Sequence, residues 1–104
     1  MSIVIVATIT PKPEYKDDVI AALEKAASAV HEAEEGCGLY ALHESADGQL
    51  VMIEKYADPA AFESHRTGDG LKALVGDLKG KLATPMDVKV LTPHPAGRPD
   101  KGTL

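Results

Sequence analysis

Hydrophobic and polar positions change period along the chain, and each change marks an element. Ile3 to Thr10 is a run of mostly β-branched residues that stops at Pro11, which cannot continue a hydrogen-bonded ladder. Ile3, Ile5, Ala7 and Ile9 would face one side of this strand, and Val4, Val6, Thr8 and Thr10 the other. Both sides are largely apolar, so the strand is predicted to be covered on both faces. From Glu14 to about Glu35 the period becomes helical. Tyr15, Val19, Ile20, Leu23, Ala27 and Val30 form one stripe, with Lys16, Asp17, Glu24, Lys25 and Glu32 opposite. Gly36 is expected to end that helix as a left-handed cap. Leu39–Ser45 and Leu50–Tyr56 read as two strands joined by a turn at Asp47-Gly48. Asp58-Pro59 then opens a short helix through Phe62 and His65, as an N-cap followed by proline at the first helical position. After "TGDG" a further helix carries Leu71, Leu74, Val75, Leu78 and Leu82 on one face. Met86 to Leu91 is the last strand, and a tail rich in proline and glycine follows it.

The order is β-α-β-β-α-β, which predicts an α+β, ferredoxin-like domain over residues 1–92 and a tail over 93–104. The helices would cover one face of a four-stranded antiparallel sheet. The other face still carries Val, Ile, Leu and Met residues, more contiguous apolar surface than monomers usually leave wet. A homodimer packed through the two sheet faces is therefore expected.

Composition narrows the partners. The 104 residues are 44% hydrophobic and 26% charged, with a formal net charge of −5. The Lys and Arg residues are scattered, so nothing suggests a nucleic-acid partner. One cysteine can form neither an intrachain disulfide nor a metal cluster, which fits a reducing compartment. The apolar start "MSIVIVATITPKP" has no basic leader and is too short to cross a bilayer, so no membrane is expected and the location is read as cytoplasmic.

Three stretches, "EEGCGLYALH", "VMIEKYADPAAFESH" and "VKVLTP", resemble the antibiotic biosynthesis monooxygenase family of dimeric α+β barrels, and most of all its quinol monooxygenase-like branch. The resemblance runs over roughly residues 2 to 93. It implies oxidation of a quinol or related phenolic aromatic by O2 with no metal, flavin or haem cofactor. The sequence departs from the family's pattern at named places. Tyr56 stands where a Trp usually ends the third strand, and Met52 where the quinone-forming members have Asn. Phe62 replaces a Tyr of the following helix. His65 matches the first of two histidines in the quinol branch, while Gly70 holds the place of the second. "LKALVGD" has no histidine where the haem-degrading relatives carry one.

The candidate chemistry follows from these places. His65 is a candidate general base near neutral pH, or else a helix C-terminal histidine on the dipole. Tyr56 could hold a substrate oxygen, or anchor the end of the sheet. Met52, Phe62, Leu71 and Val75 would wall an apolar substrate cavity between the sheet and the second helical segment, or simply pack in the core. His43 shares a strand face with Leu39 and Ala41; it would line the cavity or the dimer interior, or hydrogen-bond within the strand. His31 and His94 are expected in solvent. No pair of histidines has metal-ligand spacing on one element. Cys37, between Gly36 and Gly38, is read as structural. An alternative function with the same fold is a barrel that binds an aromatic metabolite without turning it over.

Overall fold

The computed structural model describes residues 1–104. Strand β1 (Ile3–Ile9) leads through a 3-10 turn at Pro13–Tyr15 into helix α1 (Lys16–Ala33). Strands β2 (Cys37–Glu44) and β3 (Leu50–Tyr56) follow, then helices α2 (Pro59–Thr67) and α3 (Asp69–Leu78), and strand β4 (Asp87–Leu91). The sheet order is β2-β3-β1-β4, antiparallel throughout. This is the ferredoxin-like α+β fold expected from the element order, with the second helical segment split in two at Gly68.

Side-chain alternation sorts the sheet into two faces. Ile5, Ala7 and Ile9 of β1 and Leu50, Met52, Glu54 and Tyr56 of β3 are buried on the face that carries the helices. Val19, Leu23 and Val30 of α1 and Leu74 and Leu78 of α3 meet them from above, all under 5 % exposed. On the outer face, Ala41, Ile53 and Val6 form a cross-strand row over β2, β3 and β1, flanked by Lys89 of β4. No helix covers that row. Beyond Leu91 the chain has neither helix nor strand, and Lys55 on the outer face donates to the carbonyl of Leu104.

Three local expectations are corrected. Gly36 is not a left-handed cap: positive φ occurs only at Gly48, Gly80 and Gly97. Helix α1 ends instead at Glu34, whose N–H still reaches the Val30 carbonyl at 3.0 Å before the chain turns extended (φ −109°, ψ 89°). The glycine at 36 is required by proximity, because a Cβ there would lie 2.5 Å from the Cβ of Ala61 in α2. Leu82 is not on α3. The chain reverses at Gly80 (φ 77°), and Leu82 forms an isolated bridge with Pro11, flanked by Lys12 N to Lys81 O and Ala83 N to Thr10 O. Tyr15 is 38% exposed, since Pro13 starts a 3-10 turn that rotates it off the apolar stripe. The β2–β3 hairpin turns at Gly48 (φ 84°), and Asp58 caps α2 by accepting from Ala61 N at 2.8 Å.

Candidate functional site

A cavity of about 380 Å³ lies between the helix-bearing sheet face and the α2–α3 pair. Its floor is Ile5, Ala7 and Ile9 of β1, Met52 and Glu54 of β3, and Val88 of β4. Phe62, His65 and Arg66 of α2, Leu71, Leu74 and Val75 of α3, and Met86 close it from above, with Leu23 and Tyr40 completing the wall. The alternation of β1 and β3 explains the floor, since only every second residue of each strand looks inward. Helical spacing explains the roof: Phe62, His65 and Arg66 lie three and four apart on one face of α2.

Almost all of this lining is apolar, and the polar groups gather in one corner. The imidazole of His65, 4% exposed, lies between the rings of Tyr40 and Tyr56, with centroids 5.6 and 5.2 Å away. Its Nδ1 is 2.8 Å from Glu34 Oε1. A carboxylate can only accept, so Nδ1 carries a proton and donates; whenever the ring is neutral, the lone pair is the one on Nε2. Nε2 stands 3.8 Å from Oε1 of Glu54, too far for a hydrogen bond. That same Oε1 accepts from the Tyr56 hydroxyl at 2.7 Å. Glu54 is 5% exposed, and burial pushes its carboxyl above the usual carboxylate range; the Tyr56 hydrogen bond and the nearby His65 pull the other way. Burial also pushes the Tyr40 and Tyr56 phenols up, with the Glu54 carboxylate adding to both, so each is a hydrogen-bonding group and not a source of protons. Arg66 stands at the exposed rim, donating to Glu63 at 2.9 Å with its guanidinium over the Phe62 ring.

Of the residues singled out from the sequence, Met52, Phe62, His65, Leu71 and Val75 come together around this cavity. Tyr56 does not line it. The side chain is fully buried behind the wall, packed on Phe62 (5.4 Å) and His65, with its hydroxyl on Glu54. His43 is a correction as a cavity residue, while its other reading, a hydrogen bond within the strand, is what forms. It sits with Leu39 and Ala41 on the outer face, exposed, with Nδ1 at 3.1 Å from the Ala41 carbonyl, and the whole sheet separates it from the cavity. His31 is not simply solvated, because its Nε2 is 3.0 Å from the Tyr40 carbonyl. Cys37 hydrogen-bonds the Leu39 carbonyl at 3.2 Å, and burial pushes its thiol up, away from thiolate chemistry. Sequence reasoning missed Glu34, Tyr40 and Glu54. For Glu54 the signal was present: Leu50, Met52, Glu54 and Tyr56 alternate, which sets an acid on an apolar strand face. No group of three or more His, Cys, Asp or Glu side chains converges as a metal site, and no helix is long and apolar enough to cross a membrane.

Comparison with known proteins places this arrangement. Residues 2–76 match the family model described as antibiotic biosynthesis monooxygenase. Rv0793 of Mycobacterium tuberculosis, which carries a monooxygenase name, is 35% identical over 95 residues, covering 88% of this chain and 90% of that protein. YcnE of Bacillus subtilis, also named for a monooxygenase, is 36% identical over 90 residues, covering 83% and 92%. The solved structure of Rv0793 superimposes with a TM-score of 0.86 at 29% identity, covering 94% of this chain and all of that one. A Caulobacter crescentus structure titled for the same family gives 0.82 at 26% identity, covering 86% and 87%. The chain belongs to the antibiotic biosynthesis monooxygenase family, and the names of its relatives support a monooxygenase-like role.

Proposed function

We propose that this chain is a cofactor-independent monooxygenase or oxidase-like enzyme acting on a quinol or related phenolic aromatic with O2. The observation that carries this reading is the polar corner. A buried histidine, held at Nδ1 by Glu34, turns a free Nε2 into an apolar cavity of about 380 Å³. An electron-rich phenolate reduces O2 without help, so such a protein has only to bind the ring, remove a hydroxyl proton and keep water away. In this scheme His65 Nε2 takes the hydroxyl proton, and the Glu34 carboxylate stabilises the imidazolium that forms. The phenolate passes one electron to O2, and the two radicals combine in a new ring C–O bond. Heterolysis of the O–O bond, with the proton returned from His65, then releases water. A dihydroxyarene supplies all four electrons: one oxygen atom stays on the ring, the other leaves as water with two substrate hydrogens, and a hydroxyquinone remains. If the radicals do not combine, superoxide takes the second electron and the remaining hydroxyl proton from the semiquinone, and the proton held by His65, so that the products are the quinone and hydrogen peroxide. Met52, Phe62, Leu71 and Val75 supply the dry walls that hold the ring.

The assembly proposed with this activity is a homodimer packed through the outer sheet faces, where the row Ala41–Ile53–Val6 has no helix over it. A second reading, binding without turnover, is favoured by one feature. Met52 is apolar and the Tyr56 hydroxyl is engaged by Glu54, so the places that hold Asn and Trp in the quinone-forming relatives offer no free polar group to a substrate.

The deciding experiment is O2 uptake by metal-stripped protein over a panel of reduced naphthoquinols and polyphenols, against an autoxidation blank. Protein-dependent uptake that persists under chelation is expected, and His65→Ala should lower it by roughly 10²–10⁴-fold without changing the oligomeric state. Saturable binding with no uptake would establish the binding reading instead. Unchanged kinetics in His65→Ala would remove His65 as the base.

A further inference from the structure

Two polar atoms in the cavity corner have no partner within the chain. Tyr56 occupies Oε1 of Glu54, and Glu34 occupies Nδ1 of His65, while Glu54 Oε2 and His65 Nε2 make no hydrogen bond. Yet no fully sealed side-chain nitrogen or oxygen in the protein is left without a partner. Both atoms are therefore open, and since their residues are only 5% and 4% exposed and line the cavity, the surface they keep faces it. We infer that the cavity is built for a vicinal dihydroxyarene, one hydroxyl meeting His65 Nε2 and its ring neighbour meeting Glu54 Oε2, so that Glu54 determines which diol isomer is accepted. The inference rests on the reading of the cavity as a site for a phenolic ring.

The geometry favours neighbouring hydroxyls. His65 Nε2 and the Glu54 carboxylate stand side by side, 3.8 Å apart at their nearest atoms. Ortho oxygens on a ring are separated by about one hydrogen-bond length, roughly 2.7 Å, and point the same way, so both reach this corner. Para oxygens point in opposite directions. A 1,4-diol with one hydroxyl on His65 would drive the other into the apolar end near Ile9, Met86 and Val88, where nothing accepts its hydrogen bond. Arg66 does not rescue it, being a donor at the exposed rim already engaged with Glu63. Glu54 suits a hydroxyl in either protonation state: ionised it accepts the O–H, and neutral it donates to the oxygen. A carboxylate-bearing ring would be refused by the same two acidic residues, Glu34 and Glu54.

The test is anaerobic calorimetric binding of 1,2-dihydroxynaphthalene, 1,4-dihydroxynaphthalene and 1-naphthol to the wild-type protein, Glu54→Gln and Glu54→Leu. With O2 absent, the result is independent of whether the protein is an oxygenase. The wild type should bind the 1,2-diol at least about tenfold more tightly than either other compound. Glu54→Gln should keep that preference, and Glu54→Leu should lose it while still binding 1-naphthol. Equal affinity for the two diols in the wild type would overturn the inference, as would a preference that survives in Glu54→Leu or a failure of all three compounds to bind. Selective binding followed by no O2 uptake in air would leave the inference standing and remove the oxygenase reading alone.

Discussion

Glu54 enters the fold on a strand whose inward neighbours are Leu50, Met52 and Tyr56, and its burial there has a thermodynamic signature. Its carboxyl is held above the ordinary carboxylate range, chiefly by desolvation. On raising the pH the unfolded chain therefore loses this proton first, so between the two values the native state binds more protons. Stability falls across that window, starting near the ordinary value of about 4.3. Glu54→Gln keeps an acceptor for the Tyr56 hydroxyl and removes the ionisation. Denaturant unfolding should give the variant and the wild type similar stability below about pH 4 and a growing advantage to the variant toward neutrality; parallel curves would show that ionised Glu54 costs the fold nothing. The alternation that exposes Glu54 was visible in "LVMIEKY", but a charged residue in a strand is ordinarily assigned to the wet face. Glu34 had no such signal, because its partner lies 31 positions away and only the fold brings them together. His43 illustrates another limit. Its grouping with Leu39 and Ala41 is correct, yet with apolar residues on both faces, parity alone does not say which face the helices cover.

Helix α2 carries both Phe62 and His65, so what fixes α2 fixes the site. The Asp58 cap and Pro59 were legible because their chemistry is local. The docking of α2 was not, since it depends on the missing side chain of Gly36, which meets Ala61 across 25 positions of sequence. Gly36→Ala should cost about 1–3 kcal/mol, the usual range for overpacking, and Ala61→Gly in the same chain should recover part of it despite the lower helix propensity of glycine. Melting of the single and double variants tests this, and strictly additive losses would mean that the two positions do not press on each other. The end of α3 shows the same division: its apolar period continues to Leu82, but the reversal at Gly80 returns the segment to Thr10–Lys12. Element type and order followed from periodicity and turn chemistry, whereas the ends were set by contacts distant in sequence.

Across the whole molecule, β1 serves two surfaces by turns, with Ile5, Ala7 and Ile9 on the cavity and Val4, Val6 and Thr8 on the outer face. If the outer faces pair, a charge at the centre of the row should separate the chains without entering the cavity. Ile53→Lys is expected to shift the protein from dimer to monomer in light scattering, and a wild type that is already monomeric at the same concentration would contradict the pairing. The two-sided apolar pattern of β1 was the sequence signal for this, and it came from one short stretch. The Glu34–His65 contact has a reach of a different kind. It fastens the C-terminal end of one helix to the last turn of another, so the imidazole is oriented only while those two ends stay together. Local opening at that corner, of the sort that precedes global unfolding, would free the imidazole while the sheet stays intact. Thermal inactivation would then run ahead of denaturation, and the protein's working range would be set by its weakest seam and not by its melting point.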